Sequence, residues 1–143
     1  MRLWSQQLIP YLPRQQLLGQ HRECAALRGK GWGRKHATVD YVFTHEPEWL
    51  VAYHILVMEE MRHRGYAPDK QWYIAEYRGS TLGIETGWAN QDIVDYQFAY
   101  AAHKSGIIYP EHNREYLIEC LENLKEKGVD MSCAEVALAY HFI

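Results

Sequence analysis

Glu23 is the lone carboxylate among the first 39 residues, where it is surrounded by seven Lys and Arg side chains. It falls between Arg22 and Arg28, and on a helix it shares one row with Gln16 and Gln20 at i, i+4, i+7 spacing. A carboxylate at the border of an apolar face, next to a basic surface, is placed to act on a polyanion. An ordinary glutamate paired with its neighbouring arginines would leave the same pattern. The chemical partner available to Glu23 is the chain's own α-amine on Met1. Its reference pKa near 7.7–8.0 leaves a neutral fraction at physiological pH that a lysine lacks. A neutral amine attacks a carbon at the aldehyde oxidation level to give an imine, and C1′ of a deoxyribonucleotide is such a carbon once its base leaves. Composition permits this reaction without selecting it.

The elements that must position these groups are helical. Pro13 suits the first position of a helix reaching about Leu27, with Leu17, Leu18, Cys24, Ala25 and Leu27 on one arc. Gly29, Gly31 and Gly33 then break regularity, so 28–36 is expected to be a basic, glycine-rich loop able to approach a ligand closely. A second, central helix is expected from about Glu48 to a cap at Gly65. Trp72–Arg78 is aromatic and short, and 79–90 is the best internal boundary. Further helices are expected at about 91–105, stopped by Gly106; at 110–127, opened by Pro110; and at 132–142, with Ser132 and Glu135 at capping-box spacing. Valine and isoleucine nowhere alternate over the length of a strand. The fold class is therefore all-α: a single-domain bundle of about five helices over 1–143, with residues 1–80 as its leading portion and a helical extension, 81–143, packed on it.

Hydrophobic residues at 48% and charged ones at 23% are globular values for 143 residues and exclude wholesale disorder. No apolar run approaches a membrane span, and the N-terminus lacks the apolar stretch of a signal peptide, so a soluble, cytoplasmic protein is expected. Cys24, Cys120 and Cys133 form no close pair and read as reduced thiols. The net charge of −3 hides a division. Residues 1–39 are strongly cationic, while 40–80 hold four basic against seven acidic groups and 81–143 four against ten. A basic face on an acidic protein can hold a polyanion, while the acidic remainder limits indiscriminate adhesion. His45 with Glu46 and Glu48, or His54 with Glu59 and His63, offers metal-ligand types. Neither set has the i, i+4 spacing of a helical zinc site, so no metal or cofactor is expected. Tyr96, Tyr100, Tyr109 and Tyr116 read as core aromatics.

Leu12–Glu23, LPRQQLLGQHRE, followed by GWGRKH at 31–36, resembles the pyrimidine dimer DNA glycosylases, the small phage-type enzymes also called endonuclease V. The similarity rests on Leu12, Gln15, Leu17, Leu18, the pair Arg22-Glu23, and the run Arg34-Lys35-His36, at nearly the same distance from the chain start. It extends more weakly through Arg64-Gly65-Tyr66 to the aromatic stretch Trp72, Tyr73, Tyr77, and 81–143 shows no such likeness. The resemblance implies a bifunctional repair enzyme. The N-terminal amine displaces a damaged base, Glu23 assists with Arg22 beside it, and β-elimination cuts the strand of double-stranded DNA bearing damaged pyrimidines or abasic sites. It further implies that Arg2, Gln15, Arg28, Arg34, Lys35 and His36 contact DNA, and that Trp72, Tyr73 and Tyr77 stack on or wedge into opened base steps. A monomer at the nucleoid is the matching expectation. Two departures stand out: bulky Arg2 disfavours removal of Met1, which makes the Met1 amine the nucleophile, and Ala26 replaces the basic residue three positions after Glu23. A duplex-binding module with no chemistry would use the same basic loop and aromatic residues.

Overall fold

The computed structural model describes residues 2–138, and among these the regular structure is helical. Helices α1 (Arg14–Arg28), α2 (Pro47–His63), α3 (Gln91–Lys104), α4 (Arg114–Glu126) and α5 (Ser132–Leu138) are joined by 3-10 turns at Gln6–Tyr11, Asp40–Thr44 and Lys70–Tyr73. A single antiparallel bridge, Tyr77 with Ile84, closes the turn between the aromatic stretch and α3. No described helix is long and apolar enough to cross a membrane.

Helix α2 is the centre because it is apolar almost all round. Leu50, Val51, Ala52, Tyr53, His54, Val57 and Met58 are all fully buried. Helix α1 covers one side with Leu17, Gln20, Cys24 and Leu27; the other side, with Val51, Ile55 and Met58, packs on Val94 of α3, Ala75 and Ala89. Pro47 opens α2 where its missing N–H costs nothing, and Gly65 leaves it at φ +93°.

Three expected boundaries differ, each for a local reason. Helix α3 ends on Ser105 in the left-handed region at φ +57°, one residue before Gly106, where a Cβ would fall inside the Tyr100 ring. Pro110 does not open α4. Asn113 does, its side chain accepting the Tyr116 N–H at 2.9 Å. At α5, Asp130 accepts the Ser132 N–H at 3.0 Å and the Glu135 N–H goes to the Met131 carbonyl, so Ser132 lies inside the helix and makes no capping box. Residues 139–142 of the expected last helix lie outside the described residues. Tyr109 is buried and Tyr116 half-buried, but Tyr96 and Tyr100 are exposed, contrary to a core reading of all four. Cys24 and Cys120 are buried, while Cys133 is exposed.

The C-terminus of α1 is bolted to the aromatic stretch by two crossing arginines. Arg28 is fully buried: Nη1 donates to the Trp72 carbonyl at 2.7 Å, Nη2 to the carbonyls of Ile74 and Tyr77 at 2.8 and 2.9 Å, and the guanidinium lies 5.0 Å from the Trp72 ring. Arg78 reaches back, donating to the carbonyls of Arg28 and Gly29 at 2.7 and 2.9 Å, the second of which also accepts the Trp32 N–H at 3.3 Å. Burial lowers Arg28 to about 10, which leaves it cationic at neutral pH. The expectation that Arg28 contacts DNA is thereby corrected: its guanidinium is buried, and both Nη atoms are spent on backbone carbonyls and His54 inside the protein. Replacing Arg28 by Met should strand the carbonyls of Trp72 and Tyr77 and cost about 3–5 kcal/mol of stability, read from urea unfolding. A loss below about 1 kcal/mol would show that the bolt is dispensable.

Candidate active site and nucleic-acid interface

The start of the chain runs extended over α1 and α2 with no strand beside it, so its backbone groups must find side chains. They do so one by one. The Arg2 N–H donates to Glu23 Oε2 at 3.1 Å, and the Arg2 carbonyl accepts from Gln20 Nε2 at 3.0 Å. The Trp4 N–H donates to Gln20 Oε1 at 2.6 Å, and the Trp4 carbonyl accepts from the Tyr53 hydroxyl at 2.7 Å. Tyr116 donates to the Leu3 carbonyl, and the Gln6 N–H goes to His112 Nδ1 at 3.1 Å. Gln20, buried between Arg2 and Tyr53, also donates to Glu23 Oε2 at 3.4 Å. Glu23 thus has one carboxylate oxygen held by two N–H groups, whereas Oε1 has no partner among the described residues. Met1 lies outside the described residues.

Around this centre the expected contact residues divide. Gln15 and Arg22 are exposed on one row of α1 with Gly19 between them and Ala26 beyond, a flank with little bulk between its polar groups. Arg34, Lys35 and His36 are exposed in the loop after α1; the His36 N–H donates to Asp40 Oδ1 at 2.7 Å, and its Nδ1 meets the Thr38 hydroxyl at 3.0 Å. Arg22, Arg34 and Lys35 have no acidic partner among the described residues. Gly31 makes the loop possible, since a Cβ there would lie 2.8 Å from the Ala26 carbonyl oxygen. Trp32 anchors it, packed edge-on to Phe43 and Trp88.

Arg2 is turned away from that face, 3.6 Å from Glu119 and over the Tyr116 ring, its side chain 17% exposed. Tyr77 is buried against Trp72 with ring centroids 4.8 Å apart, which corrects its expected role as a base-stacking residue. Trp72 and Tyr73 are half-buried and border different surface cavities. One is formed with Gly29, Gly31 and Leu82, about 380 Å³, and the other with Arg62, Tyr66 and Lys70, about 490 Å³. The aromatic stretch is therefore no continuous stacking platform.

Behind α1 a row of nitrogen atoms fixes two histidines. Arg28 Nη1 donates to His54 Nδ1 at 3.1 Å, so the His54 proton sits on Nε2 and points to His21 Nδ1 at 2.7 Å. Burial beside Arg28 holds His54 well below the usual imidazole range and His21 below it too.

A model of the pyrimidine dimer DNA glycosylase family matches residues 1–74, just over half of the chain. The chain belongs to that family. No curated protein and no solved structure matches it. Membership in the pyrimidine dimer glycosylases carries the general function, a DNA glycosylase for pyrimidine dimers, with damaged DNA as its partner. The matched segment spans Glu23, the N-terminal segment, the basic loop and Trp72, and ends inside the stretch that Arg28 holds.

Gln20 and Tyr53 were not anticipated as site residues, although Gln20 lies on the row of Glu23. The only sequence signal was that spacing. Tyr116 and His112 left no signal, since their partners are about a hundred residues away.

The buried imidazoles tie stability to pH. His112 is pushed down to about 3 by burial, and His54 is also well below its free value near 6.5. Each binds a proton in the unfolded chain before it does so in the native one, so their contribution is intact above about pH 6.5 and falls as the pH drops below it. Unfolding free energy from urea titrations should decline from pH 7 to pH 5, each buried histidine adding up to about 1.4 kcal/mol per pH unit. His112→Gln should make that decline shallower by about one proton; an unchanged slope would contradict the buried neutral state.

Proposed function

We propose that this pyrimidine dimer glycosylase is bifunctional, with the α-amine of Met1 as nucleophile and Glu23 as the acid–base partner that makes it a lyase as well. The neutral amine forms a bond to C1′ of the damaged nucleotide while the glycosidic C1′–N bond breaks and the base leaves with its electron pair and a proton. Loss of the amine proton and opening of the sugar ring give an iminium ion. Removal of a C2′ proton then expels the 3′ phosphate and cuts the strand, and water releases the amine. Glu23 opposes the positive charge that develops at the sugar and carries the C2′ proton.

The observation that carries this reading is the 3.1 Å hydrogen bond from the Arg2 N–H to Glu23. Residue 1 is joined to that nitrogen, and covalent geometry keeps its Cα about 3.8 Å from the Cα of Arg2. The lone early acid therefore accepts a hydrogen bond from the peptide that joins residue 1 to residue 2, and its Oε1 has no partner among the described residues. Arg22, Gln15, Arg34, Lys35 and His36, all exposed, are read as the phosphate and groove contacts that hold the duplex, with Trp72 and Tyr73 at its edges.

Incubation with abasic or dimer-containing duplex and borohydride should trap the protein covalently on the strand, and mass mapping should place the adduct on residue 1. Glu23→Gln should lose strand cleavage by about 10²–10⁴-fold while keeping most DNA affinity. Binding without an adduct would leave only a damage-recognition module.

Arg34→Ala and Lys35→Ala should each weaken binding and reduce the slope of log K against log salt by about one phosphate contact. An unchanged slope in both would remove the loop from the interface.

A further inference from the structure

Nothing in the proposed chemistry calls on residues beyond 74, yet α4 and the turn before it hold the start of the chain from the side opposite Glu23. The connection is made by two hydrogen bonds to the segment and the aromatic cluster between them. The Gln6 N–H donates to His112 Nδ1 at 3.1 Å, so that nitrogen carries the lone pair. The buried imidazole is neutral and its proton sits on Nε2, which donates to the Tyr41 hydroxyl at 2.6 Å. The Tyr41 ring packs edge-on to the Tyr116 ring at 6.2 Å, and the Tyr116 hydroxyl donates to the Leu3 carbonyl. The cluster thus meets the N-terminal segment at residue 6 and at residue 3. The Tyr116 ring is stacked on His112 at 5.1 Å and 13°, and the same ring carries the Arg2 guanidinium, which Glu119 pairs at 3.6 Å.

We propose that Tyr116, backed by Tyr41 and His112, is a positioning residue that sets the first residues of the chain against Glu23, so that the segment outside the family match tunes the rate of imine formation. The inference rests on the reading of residue 1 as nucleophile. Tyr116 and the Glu23–Gln20 pair grip adjacent peptide units from opposite sides, and loss of one grip lets the segment shift by fractions of an ångström. Displacement on that scale is costly for a reaction that depends on alignment of an attacking atom.

The test uses the full chain as wild type, Tyr116→Phe, Tyr41→Phe and the double variant, in single-turnover borohydride trapping on saturating abasic duplex, with DNA affinity measured in parallel. Wild type should trap at residue 1. Tyr116→Phe should trap about tenfold more slowly with affinity within about twofold of wild type, Tyr41→Phe should show a smaller loss, and the double variant should be no slower than Tyr116→Phe, because Tyr41 acts on residue 3 only through the Tyr116 ring packed against it. A wild type that binds but never traps at residue 1 overturns the nucleophile reading and this inference with it. Wild-type trapping together with an unchanged rate in Tyr116→Phe, a loss that follows DNA affinity, or an additive double variant overturns the positioning role alone. If Tyr116→Phe does not fold, Tyr41→Phe decides, since it keeps the bond to Leu3: a slower rate supports the proposal and an unchanged one ends it.

Discussion

An extended segment without a neighbouring strand has no regular partner for its amides and carbonyls, and leaving several of them buried and unpaired would cost about 1–3 kcal/mol each. Side chains from several helices answer this constraint. Gln20, Glu23, Tyr53, Tyr116 and His112 come from α1, α2 and the region around α4, and each supplies one or two bonds to residues 2–6. Arg64, at the end of α2, continues the same task further on, donating to the carbonyls of Leu12 and Pro10 at 2.6 and 3.1 Å. The beginning of the polypeptide is consequently one of the most tightly specified backbone segments in the molecule.

The second dependence lies at the other end of α1. A buried guanidinium is expensive to desolvate, and the fold offsets that cost by giving Arg28 three carbonyls, an imidazole nitrogen and the face of Trp72. With Arg78 capping the helix end, the direction of the loop 29–36 is fixed relative to α1. Helix α1 therefore carries Glu23 in its middle and aims the exposed cations of the loop from its C-terminus. Carboxylate and loop are tied to one helix, a stiffer support than two loops could give.

The all-α class, the central α2 and the glycine-rich loop were legible because they depend on local pattern: apolar periodicity, Pro47 at a helix start, Gly65 at a helix end. The boundaries that moved, at Ser105, Asn113 and Asp130, are places where a single side chain or one left-handed residue competes with a neighbouring Gly or Pro. Glu23 stands out in the sequence by its isolation among cations, and the structure sets it against the backbone of Arg2. Arg28 was misjudged for the same reason, since composition does not distinguish a cation aimed at solvent from one that terminates a helix against distant carbonyls. Tyr77 failed similarly. Gln20, Tyr53, His112 and Tyr116 act through contacts 16 to 113 residues apart in sequence, and no local pattern encodes which tyrosine meets which carbonyl.

These assignments change what the charge of the first 39 residues means. Of its seven cations, Arg28 is internal and Arg2 is paired with Glu119, while Arg14 lies 5.9 Å from the Tyr66 ring. Arg22, Lys30, Arg34 and Lys35 remain exposed along one flank of α1 and the loop that follows it. A footprint of about four phosphates is moderate, enough to steer and register a duplex but small beside that of a protein gripping DNA through charge alone. Selectivity must then come from what happens after contact, in the opening of the helix and the approach of a reactive group. A site whose most elaborate bonding is spent on fixing the backbone of residues 2–6, rather than on adding cations, is ordered where the proposed reaction at residue 1 needs order.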